Sequence, residues 1–227
     1  MLKHIPKKHK ESNRDHIYRT LKQSIIEGYF VPDDKLSEPT IAEELNVSRT
    51  PVREALILLE NENLVDIQSK QGTFVSKINS LEIANFIFMR KSIEREVLKL
   101  ACEKITPEIV EALKEQLQAQ KVFLDIKDGR NAIYLLDNAF HRIVYETAGK
   151  YEAWKSLQHM GGAFNRLRIL DVLDEDYSNR RYYEHIELLE ILTENKIEEI
   201  DSFIEKHLDA LETTLPNMKK KKPEYFV

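Results

Sequence analysis

Two sets of side chains in this sequence are spaced for chemistry. Arg49 and Arg53 stand four residues apart and so share one face of a helix. Each guanidinium can pair bidentately with O6 and N7 of guanine, the commonest specific contact to DNA. Ser48 and Thr50 flank Arg49, and Thr40 precedes them, offering hydroxyls that can hold phosphates without reading sequence. For an arbitrary helix the ordinary alternative is that both arginines are solvated charges paired with Glu54 or nearby acids. The second set is Asp137 and His141, again four apart on one helix face, with His185 and His207 in two later segments. A surface ion pair is the ordinary reading of the first two, and a satisfied core position that of a lone inward histidine. Three imidazoles and a carboxylate on facing helices, however, all need partners when buried, and one divalent cation supplies a partner for all four. A ligand set of nitrogen and oxygen without thiolate suits Zn, Ni, Mn, Co or Fe as divalent ions and does not choose among them.

The elements that must position the arginines are legible in the first third. Residues 15–28 place Ile17, Leu21, Ile25 and Ile26 at helical spacing and stop at Gly28. Pro32-Asp33-Asp34 marks a turn, and Pro39–Leu45 is a short helix with Ile41, Ala42 and Leu45 on one face. After the tight connection Asn46-Val47-Ser48, Ser48 is expected to cap a helix with Pro51 in its first turn, running to about Asn61. Its apolar face is Val52, Ala55, Leu56 and Leu59. Residues 64–78 alternate around Gln71-Gly72, predicting a hairpin whose tip turns sharply at Gly72, with Lys70 and Thr73 beside it as contacts to a backbone or minor groove. The order is that of a winged helix-turn-helix, three helices plus a β-hairpin wing.

From Ser80 onward the strand pattern vanishes. Helical segments fall at 81–104, 107–128, 130–148, 150–174, 177–194 and 197–214, punctuated at Thr106-Pro107-Glu108, Asp128-Gly129, Gly149 and Ser178. They predict an all-helical antiparallel bundle, with Gly161-Gly162 kinking the fourth segment. His185 lies beside Ile186, Leu189 and Leu192, and His207 beside Ile204, Leu208 and Leu211, so both are expected to face inward. Arg90 is a candidate anchor for a carboxylate, with an i,i+4 salt bridge to Glu94 as the equal alternative. Asn165 and Arg168 are further candidates to line such a pocket. The final stretch PNMKKKKPEYFV shows no periodic face and reads as a solvated tail, in which the Lys219–Lys222 run is a minor candidate for nucleic-acid contact. The expected organisation is therefore residues 1–78, 79–215 and a tail from 216 to 227.

Composition agrees with a helix-rich globular protein: 42% hydrophobic, 32% charged, with only 6 Gly and 7 Pro. The single Cys102 sits in an apolar stretch, makes no internal disulfide and fits a reducing compartment. No apolar run approaches the ~18 residues of a membrane span, and the basic N-terminus lacks the apolar core of a secretory signal, so a cytoplasmic location is expected. Residues 1–77 carry 12 Lys and Arg against 12 Asp and Glu, so the net charge of −5 falls on the remainder. A general polyanion binder is disfavoured, and the front segment is the better partner for DNA.

The run LSEPTIAEELNVSRTPVREALILLENENLV followed by QGTFV, within residues 14–77, resembles the signature of the GntR family of transcription regulators. The resemblance implies that Arg49, Arg53 and the wing glycine Gly72 contact the operator. Residues 81–210 resemble the FCD effector domain of the FadR-type branch, through RKSIE at Arg90–Glu94, DNAFH at Asp137–His141, EHIELLEIL at Glu184–Leu192 and EKH at Glu205–His207. It implies that Asp137, His141, His185 and His207 bind a divalent transition metal. A homodimer on a palindromic operator follows, its half-sites about one DNA turn apart, controlled by a small carboxylate, with repression the commoner mode. A metal-free regulator responding to acyl-CoA and a metalloenzyme stand as alternatives, although no general base accompanies the ligands. The sequence departs from the family at Pro39, where Arg or Gln is common, at Asn46 and Asn63, where Gly is common, and at Lys150, where Asn is common.

Overall fold

The computed structural model describes residues 2–124, 126, 130–171 and 175–227. Helix α1 (Asn13–Ile26) starts where the Ser12 side chain accepts the Asp15 N–H at 3.0 Å, and buries Ile17, Leu21 and Ile25 completely. Helix α2 (Glu38–Glu44) is capped by Ser37, and α3 (Arg49–Glu60) packs Val52, Ala55, Leu56 and Leu59 against α1 and α2. Asn46 before α3 has φ +52° and Asn63 after it φ +55°. Asparagine is among the few residues that enter this left-handed region readily, so it replaces the family's usual glycine without changing the chain path. Ser48 occupies the cap position with extended backbone, but its hydroxyl makes no capping bond, contrary to expectation. That hydroxyl is exposed.

The expected hairpin is present as β2 (Val65–Gln68) and β3 (Gly72–Val75), paired antiparallel from Val65 opposite Val75 to Gln68 opposite Gly72. A third strand, β1 (Lys35–Leu36), joins the other edge of β3. Two residues are too few for alternation to register in the sequence. Gly72 turns the tip at φ +122°, where an added Cβ would stand 2.8 Å from Lys35 Cε.

The rest is helical: α4 (Ser80–Cys102), α5 (Pro107–Leu124), α6 (Arg130–Thr147), α7 (Tyr151–Met160), α8 (Gly162–Asp171), α9 (Glu175–Glu194) and α10 (Ile200–Lys221). Their apolar faces meet in one core, with Cys102 inside it. The segment expected at 150–174 is two helices rather than one kinked helix. A Cβ at Gly161 would meet the Phe86 ring and the Leu157 carbonyl at 3.0 Å, and one at Gly162 would meet Leu64 at 3.0 Å. The chain breaks there because α4 and the start of β2 crowd the junction. Asp128-Gly129 and the expected helix ends at 128 and 174 lie outside the described residues. No described helix is long and apolar enough to cross a membrane.

The C-terminal stretch corrects the sequence reading most. Instead of a solvated tail from residue 216, α10 continues through Pro216 to Lys221 and buries Met218. The Ile78 N–H then donates to the Tyr225 carbonyl at 2.8 Å, the Val227 N–H donates to Ile78 at 3.2 Å, and Phe226 is buried in the helical core. The lysine run dominates the sequence pattern, while the burial of Phe226 depends on Ile78, on the connection after β3. Phe226→Ala should lower unfolding free energy by about 3 kcal/mol, as for other buried phenylalanines. Urea denaturation checks this, and a midpoint no lower than that of exposed Val227→Ala would contradict the docked end.

Candidate functional site

At the front of α3, Ser48, Arg49, Thr50 and Arg53 are all exposed, as is Thr40 on α2. Among the described residues neither Arg49 nor Arg53 makes an ion pair or hydrogen bond, so the pairing with Glu54 is not formed. Thr40 Oγ1 donates to Ser37 Oγ at 3.0 Å. Two unpaired guanidinium groups, flanked by hydroxyls and by N–H groups of a helix start, make a surface that can read bases and hold phosphates. Lys70 is exposed at the wing tip with φ +65°. Thr73 departs from expectation: it is 5% exposed, set within the sheet between Leu36 and Ile67, and its side chain is not presented to a duplex.

Inside the bundle, α6 contributes Asp137 and His141, α9 contributes His185 and α10 contributes His207. All four are buried, and potential ligand atoms of the three histidines lie within 4.8 Å of one another. One proton position follows from an acceptor. His185 Nδ1 is 2.9 Å from Gln120 Oε1, and His207 Nδ1 is 2.8 Å from Glu184 Oε2. An amide oxygen can only accept, so His185 Nδ1 carries the hydrogen and its Nε2 keeps its lone pair, whereas His207 Nδ1 lies between an acceptor, Glu184 Oε2, and a donor, Arg181 Nη1 at 3.0 Å. His185 Nε2 then faces Asp137 Oδ1 at 3.5 Å, and His141 Nε2 faces Asp137 Oδ2 at 3.9 Å; neither nitrogen has a hydrogen-bond partner. Buried acceptors aimed at acceptors are costly unless a cation lies among them. The three histidines thus fit a divalent metal, with Glu184 and Gln120 behind two of the rings, while Asp137, expected as a fourth ligand, stands beside their group of mutually close ligand atoms and is held by Arg168.

The electrostatics agree. Burial raises the Asp137 carboxyl, but Arg168 and the His185 and His141 rings outweigh it and hold the group below its ordinary range. Arg168 Nη2 donates to Asp137 Oδ2, while its Nη1 donates to Asn138 Oδ1 at 3.0 Å and Asn165 Oδ1 at 3.3 Å. Burial lowers all three histidines, taking His185 down to about 4. Neutral imidazole is the ligating form.

A cavity of about 10 Å³ opens beside these groups, bordered by Arg90, Asp137, His141, Arg168, Arg181 and His207. Arg90 forms the expected pair with Glu94, its Nε donating at 2.7 Å, and its side chain also borders the cavity. Asn165 is tied to the site through Arg168 but lines a different cavity. Sequence reasoning missed Arg181, Glu184 and Gln120. Arg181, Glu184 and His185 share an i, i+3, i+4 face, a signal that was available for the first two; Gln120 lies on another helix and left none.

Residues 13–75 match the family described as bacterial regulatory proteins, gntR family, and residues 85–210 match the FCD domain. The chain is 31% identical over 217 residues, 95% of its length and 90% of the relative's, to an "uncharacterized HTH-type transcriptional regulator in unstable DNA locus" of Streptomyces ambofaciens. It is 25% identical over 210 residues, 92% of each chain, to the "HTH-type transcriptional repressor RspR" of Escherichia coli strain K12. Among solved structures it superposes on E. coli McbR/YncC with a TM-score of 0.76 at 20% identity, covering 91% of this chain and 98% of the other. That likeness shows the fold.

The depressed histidines give metal-free protein a definite pH response. In the unfolded chain His185 takes its proton near pH 6.5, whereas in the folded metal-free protein it resists until about 4. The unfolded state therefore binds more protons between those values, and stability present above about 6.5 is lost as pH falls, by about 3 kcal/mol from this group. His141 and His207 shift in the same direction. Urea unfolding of chelator-treated protein from pH 7.5 to 4.5 checks this; a His185→Gln variant with an equally steep decline would contradict it.

Proposed function

This chain belongs to the gntR family of bacterial regulatory proteins and carries an FCD domain, and we propose that it is a dimeric cytoplasmic repressor released from a palindromic operator by a small carboxylate bound at a divalent metal. It is a transcriptional regulator; regulators of this family bind DNA and usually act as dimers. In this reading residues 1–78 form the DNA-binding domain and residues 79–215 the effector domain, with α10 running past that boundary. Arg49 and Arg53 read guanines in the major groove, Ser48, Thr50 and Thr40 hold phosphates, and Lys70 and Gly72 bring the wing to the backbone.

The observation that carries effector control is the buried meeting of the His141, His185 and His207 rings, with His185 Nε2 left without a hydrogen-bond partner 3.5 Å from the Asp137 carboxylate. Asp137, His141, His185 and His207 would hold the metal, and it would supply a Lewis-acidic anchor for an anionic ligand. Charge supports a carboxylate. Arg90, Arg168 and Arg181 are matched around the cavity by Glu94, Asp137 and Glu184. A bound divalent cation makes that balance positive, and an anion offsets it. A cavity of about 10 Å³ holds about one water-sized group, so an effector must displace side chains to enter. Arg90 and Arg168 are the groups placed to exchange a protein carboxylate for that of a ligand. Differential affinity of the effector for two arrangements of the reader then sets operator occupancy.

Two measurements test the proposal. Arg49→Ala and Arg53→Ala should each weaken operator binding about 10–100-fold, the ~1–3 kcal/mol of a bidentate base contact, while binding to unrelated DNA changes less. Operator selection followed by fluorescence anisotropy measures both, and unchanged affinity and preference in the double variant would remove the reading of α3. With metal-loaded protein, a responsive hydroxy acid or sugar acid should change operator affinity about 5–150-fold. His185→Ala and His207→Ala should abolish that response and metal retention while keeping basal operator binding. Untagged protein that neither contains nor takes up a divalent metal would overturn the effector half alone.

A further inference from the structure

A second cavity, of about 440 Å³, lies between α1 and the helices α6, α7 and α8. Its size is within the ~300–1,000 Å³ of ordinary small-ligand sites. Four basic side chains border it, Arg19 and Lys22 from α1, Arg142 from α6 and Lys155 from α7, and no carboxylate does among the described residues. Their acidic partners, Glu11, Glu62, Glu146 and Glu152, all stand outside the lining. The pairs at Arg142 and Lys155 are solvated, with Glu152 83% exposed, so either cation can exchange its partner at little cost. Aromatic rings fill the spaces between the charges. Arg142 and Lys155 lie 5.3 and 5.2 Å from the centre of one ring, Tyr151, with Trp154 on the same wall. Cations over ring faces, with further rings beside them, recognise a flat anion by stacking and charge together.

We propose that this cavity is a second ligand site, separate from the histidine cluster, which takes a small anion with a planar aromatic body. The ring lies against Tyr151 and Trp154, and the anionic group meets Arg142 and Lys155. Such a ligand touches both α1 and the bundle, so it favours the arrangement in which the reader is docked, and by linkage it alters operator affinity. The two sites are joined by one side chain. Arg168 bonds to Asn138 and Asn165 and stacks on Tyr134 at 4.9 Å, all three lining this cavity, while its other terminal nitrogen holds Asp137. The proposal does not depend on a metal at the histidines.

Trp154 is the only tryptophan in the chain, so its emission reports this wall directly. The probe is 4-nitrobenzoate, an anionic aromatic quencher, added to full-length dimer; 4-nitrobenzyl alcohol lacks the charge and cyclohexanecarboxylate lacks the ring. Saturable quenching by 4-nitrobenzoate is expected, at least tenfold weaker for the alcohol, and not prevented by excess cyclohexanecarboxylate. The double change Arg142→Gln with Lys155→Gln should weaken it at least tenfold, and Arg142→Lys with Lys155→Arg should restore most of it. Both side chains are about half exposed, so the fold is not at stake. His207→Ala should leave the quenching in place. Non-saturable quenching, equal quenching by the alcohol, indifference to the double change, or loss in His207→Ala would each overturn the site. Metal content of the same samples keeps that failure distinct from failure of the histidine cluster.

Discussion

An ionised carboxylate held away from water at the centre of the bundle sets the terms for everything around it. Asp137 is 8% exposed, and an unpaired carboxylate at such depth would cost several kcal/mol. The Arg168 guanidinium offsets that cost, yet it is itself buried and must satisfy its remaining donors, which it does on Asn138 and Asn165. The imidazoles facing the other side of the carboxylate stay neutral because burial and nearby arginines disfavour a second charge. Moving any one of these groups leaves a buried charge or acceptor unpaired. The site is therefore stiff toward small disturbance and sharply responsive to a new ion or a new anion.

Helix α8 converts that local balance into a placement of the reader. It carries Arg168 near its C-terminal end, and its N-terminal end starts at Gly162, pressed against Leu64. Arg166 on the same helix, drawn down to about 10 by burial, reaches Ser76 just before the connection to α4. One ten-residue helix thus touches the buried carboxylate, the foot of the wing and the linker. A displacement of α8 has an immediate geometric meaning for α3, without any chain of intermediates. Physical coupling of this sort requires an element with two stable arrangements, and under the proposed effector control α8 is placed to be that element.

The parts of this architecture that were legible in sequence are those with local causes. Helix α3 announced itself by Val52, Ala55, Leu56 and Leu59, the wing by alternation around Gly72, and the clustered histidines by spacing and by resemblance. The misses have non-local causes. β1 is two residues long and exists because β3 has a free edge. Phe226 is buried because Ile78 offers it backbone partners 148 positions away in the chain. Thr73 looked like a wing-tip residue by its proximity to Gly72, but strand alternation decides its direction, and Leu36 on β1 covers it. The cavity between α1 and the bundle assembles Lys22, Arg142 and Lys155 from three separate helices, each of which reads alone as an ordinary solvated cation.

The contacts between reader and bundle indicate which parts of the molecule must change for a ligand to be felt at the DNA. Among the described residues the two apolar cores are separate, and besides the small group Ile26, Tyr134 and Ile169 and the approach of Leu64 to Gly162 they are linked by polar contacts. Lys22 bonds to Glu62 and reaches the carbonyls of Gln158 and His159, while Glu27 accepts from Asn131. Partly buried contacts of this kind contribute roughly 0.5–1.5 kcal/mol each. Full reversal of a two-state population needs about 5.5 kcal/mol of differential affinity, so a handful of such bonds lies within what a single ligand can shift. Separating an apolar core does not. The Ile78 bridge to the chain's end meanwhile ties the linker to the helical core. Under the proposed effector control, a linker held by backbone hydrogen bonds and a face held by exchangeable polar contacts would let a bound ligand shift the reader without unfolding either part.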